Sequence, residues 1–193
     1  EVTGAAWLVP LERTFVTAGT DGLVRRGRFQ AGRPLEFATI HEHRRPVLAL
    51  VRLSDRAVAF ADDEGMLFVL DVERGKPRKL EAGWRARVRR LFVEAGRLVV
   101  VDEKRGIQVW TLPAEGGPEW SIFVDDDIAF ADVCASGLLY LGTDPEKVKT
   151  LHIGSGQPNR PLTIPQGRSP GRFARFDVRS GIAVWGYEGG DVR

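Results

Sequence analysis

Four groups of residues in this 193-residue chain have the chemical types to bind or react. His41 and His43 lie two apart, so on a strand both imidazoles share one face, as a metal pair would require. Glu42 points the other way, and no cysteine or carboxylate stands at a supporting spacing, so the pair reads as structural or exposed and no metal is expected. Asp125, Asp126 and Asp127 are three adjacent carboxylates whose repulsion needs offsetting by backbone donors, arginines or a cation. They lack the spaced oxygen ligands of a calcium loop, so a solvated loop is expected. Trp84-Arg85-Ala86-Arg87-Val88-Arg89-Arg90 is the strongest basic cluster, and Arg44-Arg45 and Arg168 to Arg172 are smaller ones. An arginine fork suits carboxylates and phosphates, and a neighbouring tryptophan is the residue type enriched in interface hot spots. The bland reading stands beside it: Arg85 and Arg87 lie along the surface while Trp84 packs in an interface.

No catalytic constellation accompanies these groups. The chain has no Gly-x-Ser-x-Gly elbow, P-loop, His-Glu-x-x-His or dinucleotide glycine pattern, so neither enzymatic activity nor a cofactor is expected. The net charge of +2 does not demand a polyanionic partner. The single cysteine, Cys134, excludes an intrachain disulfide and is compatible with a reducing, cytoplasmic setting. No apolar run approaches the ~18 residues of a membrane helix. The 43% apolar fraction is that of an ordinary soluble domain.

The elements that must position these residues form a repeat. Apolar anchors recur at Leu8, Leu53, Val93, Val133 and Val178, 40 to 45 residues apart, and a turn signal follows each. A second apolar run comes next: Phe15-Val16, Ala57 to Ala61, Leu98 to Val101, Leu138 to Leu141, and Ile182 to Trp185. A polar hairpin turn then leads to a third strand at Leu23 to Phe29, Met66 to Val72, Ile107 to Leu112 and Val148 to Ile153. A weaker fourth strand closes each unit at Leu35 to Ile40, Arg78 to Ala82, Trp120 to Val124 and Pro161 to Ile164. The continuous β-branched run Leu98 to Val101 predicts a strand covered on both faces, while Ile107 to Leu112 alternates. No segment sustains a helical period. The expectation is an all-β chain with four short strands per repeat, the pattern of a β-propeller of four-stranded antiparallel blades.

This repeat resembles the WD40 family over the whole chain, with the diagnostic dipeptides mostly eroded. Trp110-Thr111 stands where the family has Trp-Asp, and a lone His43 after Glu42 replaces Gly-His, so the family's buried Trp/Ser/His/Asp set is intact in no single repeat. The resemblance implies about four and a half blades, near 1–43, 44–84, 85–125, 126–167 and a partial 168–193. A fifth copy cut inside its third strand leaves an unpaired edge, so a partial propeller from a larger multidomain protein is expected, further blades lying beyond either end. The resemblance also places the turns between blades on one face and implies a non-enzymatic interaction, scaffold or sensor module. Such modules are often attached to signalling NTPases, kinases or caspase-like proteins in arginine-rich, bacterial-looking chains. The expected partner is a protein or another domain of the parent chain, contacted through Arg44, Arg45, Trp84, Arg85, Arg87, Asp125, Asp126 and Arg168. Nucleic-acid binding through Arg44, Arg45, Arg85, Arg87, Arg89 and Arg90 is the alternative, and a propeller enzyme with a central metal is a third. No membrane partner is expected.

Overall fold

The structure is a computed structural model that describes residues 1–9, 13–82, 86–125, 128, 130–134, 137–141, 147–158, 162–163, 173–177 and 182–186. Every element in it is a strand. Sheet 1 contains β1 (Val2–Val9), β2 (Thr14–Gly19), β3 (Leu23–Arg28) and β4 (Glu36–Glu42). Sheet 2 contains β5 (Val47–Ser54), β6 (Ala57–Asp62), β7 (Leu67–Asp71) and β8 (Lys76–Lys79). Sheet 3 contains β9 (Val88–Glu94), β10 (Arg97–Asp102), β11 (Gly106–Thr111) and β12 (Trp120–Phe123). Sheet 4 contains β13 (Phe130–Cys134), β14 (Gly137–Leu141), β15 (Lys147–His152) and β16 (Leu162–Thr163), and sheet 5 contains β17 (Phe173–Asp177) and β18 (Ile182–Gly186). Each sheet is an antiparallel meander in which strands pair in chain order.

The meander follows from the turns. Two-strand reversals of a few residues permit only antiparallel neighbours, and Gly22 and Gly65 adopt φ of 74° and 77° at two of them, a region open to glycine at no steric cost. The first strands then lie side by side, β1 against β5, β5 against β9, β9 against β13 and β13 against β17.

Among the described residues, three apolar layers lie between sheets. Leu8, Val16, Ala18 and Val24 of sheet 1 meet Val58, Phe60 and Leu70 of sheet 2. Ala49, Ala59, Ala61 and Leu67 of sheet 2 meet Leu91, Leu98, Val100 and Trp110 of sheet 3. Val99, Val101, Ile107 and Val109 of sheet 3 meet Ile128, Ala131, Leu151 and Ile153. The run Leu98 to Val101 therefore sends alternate residues into two different layers, which explains why it is apolar without interruption. Each fully buried Leu, Ile or Phe contributes about 1.5–3 kcal/mol. Outward from the first strand the sequence turns polar: β8, Lys76–Lys79, is exposed throughout, and a short charged edge resists pairing with other chains.

A polar clamp closes the edge of sheet 3. Arg97 donates from Nε to Glu119 Oε2 at 3.0 Å, and the Thr111 hydroxyl donates to the same oxygen at 2.6 Å. The Arg97 guanidinium, then the Thr111 hydroxyl, hold the Glu119 carboxyl below the usual carboxylate range. Because the folded-state value is depressed, this stabilisation is complete above the ordinary carboxylate pKa and is lost as pH falls through the depressed one. Glu119→Gln is expected to cost less than about 1 kcal/mol at neutral pH, as the site is partly exposed. The gap to wild type should close on acidification, read from urea midpoints at neutral pH and near pH 3.

Candidate functional site

From sheet 1 to sheet 3, the described turns between sheets and the hairpins joining second to third strands lie against one another and form one edge. Asp63 donates its backbone N–H to the Pro46 carbonyl at 3.1 Å, and Glu103 donates to the Arg87 carbonyl at 2.8 Å. A Cβ on Gly22 would overlap the His43 carbonyl oxygen, and one on Gly65 the Ala86 carbonyl oxygen. The bare glycine backbone is what lets the hairpin and the neighbouring inter-sheet turn touch.

Asp62 is the hub of this edge. Its Oδ1 accepts the backbone N–H groups of Glu64 at 3.0 Å and Met66 at 2.9 Å. Its Oδ2 lies 3.2 Å from His43 Nε2, and the carboxylate side chain is only 2% exposed. The His43 ring packs edge-on to Phe60 and Phe68, with centroids 5.3 and 4.8 Å away. The next repeat has the same turn: Asp102 Oδ1 accepts from the N–H groups of Lys104 and Gly106, both at 2.8 Å. Asp21 Oδ1 accepts from Leu23 N–H at 3.1 Å, and the Arg25 guanidinium, the main cause, lowers the Asp21 pKa. A carboxylate that caps two turn amides satisfies donors that the tight hairpin would otherwise bury unpaired.

The histidine pair is not isolated. The rings of His41 and His43 stand 5.9 Å apart, but His43 is taken up by Asp62. Burial, then the neighbouring His43, holds His41 below the usual imidazole pKa. Among the described residues no group of three or more His, Cys, Asp or Glu side chains is placed to hold a metal.

Around this hub the charged side chains divide into two kinds. Arg45 is engaged: its Nε lies 3.1 Å from Asp63 Oδ1, and its Nη2 contacts Glu64. Arg89 reaches from sheet 3 to the Ile128 carbonyl. Arg44 and Arg87 are exposed, as is Asp125, and neither arginine is in an ion pair within 4.0 Å among the described residues. Arg44, Arg45, Arg87 and Asp125 are thus brought to the same edge as Asp63, Glu64, Glu103 and Lys104. Trp84, Arg85, Asp126 and Arg168 lie outside the described residues. Trp110 is on no surface: it is 1% exposed and packed between sheets 2 and 3.

Asp62 and Asp102 are the residues that motif reasoning passed over. The available signal was an aspartate recurring 40 residues apart at the end of an apolar second strand and before a glycine. The partnership of His43 with Asp62 spans 19 residues and has no local signature.

Neither a family model nor any curated protein matches the sequence. Among solved structures the chain is similar to the crystal structure of the computationally designed Ika8 protein, with a TM-score of 0.71 and 19% identity over 93% of this chain and 54% of that one. The chain spans about half the length of that protein. At that identity the likeness concerns the fold alone.

The described residues contain no helix long and apolar enough to cross a membrane.

Proposed function

We propose that the chain is a segment of a WD40-like β-propeller that works as a non-enzymatic interaction module, binding a protein partner or another domain of its parent protein through the charged loop edge. The observation that carries the reading is the convergence of inter-sheet turns and hairpins on one edge, where Arg44 and Arg87 are exposed beside fixed carboxylates. Successive four-stranded meanders with first strands side by side are what blades around a common axis would present. A stacked scaffold of this kind holds its loops rigidly, which lowers the entropy lost when a partner binds.

Mixed charge favours a protein partner over nucleic acid. Asp63, Glu64, Glu103 and Asp125 stand among the cations, so a polyanion would meet like charge as well as opposite charge. The test is a comparison of wild type with the double variant Arg44→Glu, Arg87→Glu in affinity capture and then in titration of the captured partner. A tenfold or greater loss is expected, with Arg28→Glu, at the opposite end of its strand, as the unaffected control. An unchanged partner set and affinity would sink the edge assignment. No measurable binding to a generic single-stranded oligonucleotide is expected at about 50 mM salt, where phosphate contacts are strong.

A further inference from the structure

One register position decides how the outer end of each inter-sheet layer is closed. Ala38, Arg78 and Trp120 are equivalents: each lies on the outer strand of its sheet and pairs with a residue of the third strand, Arg26, Val69 and Val109 respectively. In sheets 2 and 3 the outer residue is large and reaches across to the following sheet. Arg78 donates from Nη2 to the Ala114 carbonyl, and Trp120 donates from Nε1 to the Ile153 carbonyl at 2.8 Å. Their third-strand partners are aliphatic and belong to the apolar layers.

Sheet 1 departs from this pattern at both positions. Ala38 ends at its Cβ and cannot span a layer, and the residue beside it is Arg26 in place of an aliphatic. Here a cleft of about 470 Å³ lies between sheets 1 and 2, within the size range of small-molecule sites. It is a local gap, because two residues beyond Ala38 the sheets touch again: a Cβ on Gly75 would overlap the Ile40 carbonyl oxygen. Buried Leu8 and Val72 give the cleft an apolar floor. Arg26 and Arg28 both line it, and their spacing of two on a strand sets them on one face. Neither is in an ion pair among the described residues. On the sheet 2 side the lining carboxylates are engaged, Asp55 by Arg52 and Glu73 by Arg56. On the sheet 1 side two guanidinium forks stand against the single carboxylate of Glu36.

We propose that this cleft binds a small organic carboxylate, its acid group held by Arg26 and Arg28 and its apolar body resting on Leu8 and Val72. A guanidinium offers paired N–H donors that match the two oxygens of a carboxylate, and the apolar floor strengthens that pairing relative to open water. The ligand's charge is limited to one: Glu36, Asp55 and Glu73 repel a second negative group. The cleft lies at the end of β3 away from the charged loop edge, so it works independently of the partner binding proposed there.

Titration of the isotope-labelled chain with naphthoate, read from the Nε–Hε signals of Arg26 and Arg28, tests the proposal. Saturable shifts with a Kd of about 1 mM or tighter are expected at both signals and at the backbone amides of Ala38 and Val72. Arg26→Gln should weaken binding at least tenfold. Ala38→Trp should do the same, because it gives sheet 1 the residue that closes the layer in sheet 3. Both substitutions fall at exposed positions, and each variant should keep the far-ultraviolet circular dichroism of wild type. Arg33→Gln, exposed before β4, should leave binding unchanged. Acetate, which keeps the acid group without the apolar body, should bind at least tenfold more weakly than naphthoate. Unshifted arginine signals up to about 10 mM naphthoate, ten times that Kd, overturn the proposal. So does binding retained in both variants, or acetate binding as tightly as naphthoate.

Discussion

Trp110→Ala is expected to lower the stability of the chain by about 3–5 kcal/mol, the range for truncating a large buried aromatic. Trp110 is among the largest fully buried side chains, and it plugs the layer between sheets 2 and 3 against Ala49, Ala59, Ala61 and Leu67. Those neighbours are small and held by strand pairing, so they cannot collapse into the cavity, and the upper part of the range applies. With a urea dependence of about 2–3 kcal/mol per molar, the midpoint should fall by at least about 1 M. Trp110→Phe should behave differently. The indole Nε1 is buried with no hydrogen-bond partner among the described residues, so removing it deletes an uncompensated polar group that costs about 1–3 kcal/mol. That gain opposes the loss of ring volume, and the phenylalanine variant should fall within about 1 kcal/mol of wild type. A phenylalanine variant as unstable as the alanine one would show that the indole nitrogen is satisfied. Because stacked sheets unfold in units, hydrogen exchange should place the alanine effect first on the amides of β7, β10 and β11.

The second large effect belongs to Asp62. Asp62→Ala removes the acceptor for two backbone N–H groups and the partner of His43 at once, leaving buried donors unpaired. A loss of about 3–4 kcal/mol is expected from three hydrogen bonds at roughly 1 kcal/mol each plus the desolvation cost. Asp62→Asn keeps Oδ1 for the turn amides and should cost about half as much. The His43 contribution is separable with His43→Phe, which retains a ring against Phe60 and Phe68 while removing the nitrogen. In a double-mutant cycle with Asp62→Asn, a coupling of about 1–2 kcal/mol is expected. Coupling near zero would mean that His43 acts through ring packing alone. The same cycle bears on the binding edge, since Asp62 sets the hairpin from which Asp63 and Glu64 meet Arg45. Loss of Asp62 should therefore weaken any partner bound at that edge even at temperatures where the chain remains folded.

The repeat was legible because it is written in local terms. A β-branched or aromatic run, a polar turn with glycine and another run force a meander, and the 40–45-residue period marks where each sheet begins. Even the two-sided burial of β10 could be read from the unbroken run Leu98 to Val101. The outer strands were the least legible: Leu35 to Ile40 and Arg78 to Ala82 stand a residue or more out of step with β4 and β8, because outer strands face water and carry little apolar signal.

The functional edge was only half legible. Arginine clusters at Arg44-Arg45 and around Arg87 are visible in the chain, but their availability is not. Arg45 and Arg44 are adjacent and identical in type, yet one is held by two carboxylates 18 and 19 residues away and the other is exposed. The sequence by itself determined the strands, their order and the repeat, because period-2 patterning and turn chemistry act over a few residues. Only the tertiary structure decided that His43 belongs to Asp62, that the layer Trp110 fills lies between sheets 2 and 3, and that Trp7 and Phe37 are half exposed. Those outcomes depend on which sheet face meets which, and stacking is set by contacts between repeats rather than by any one of them.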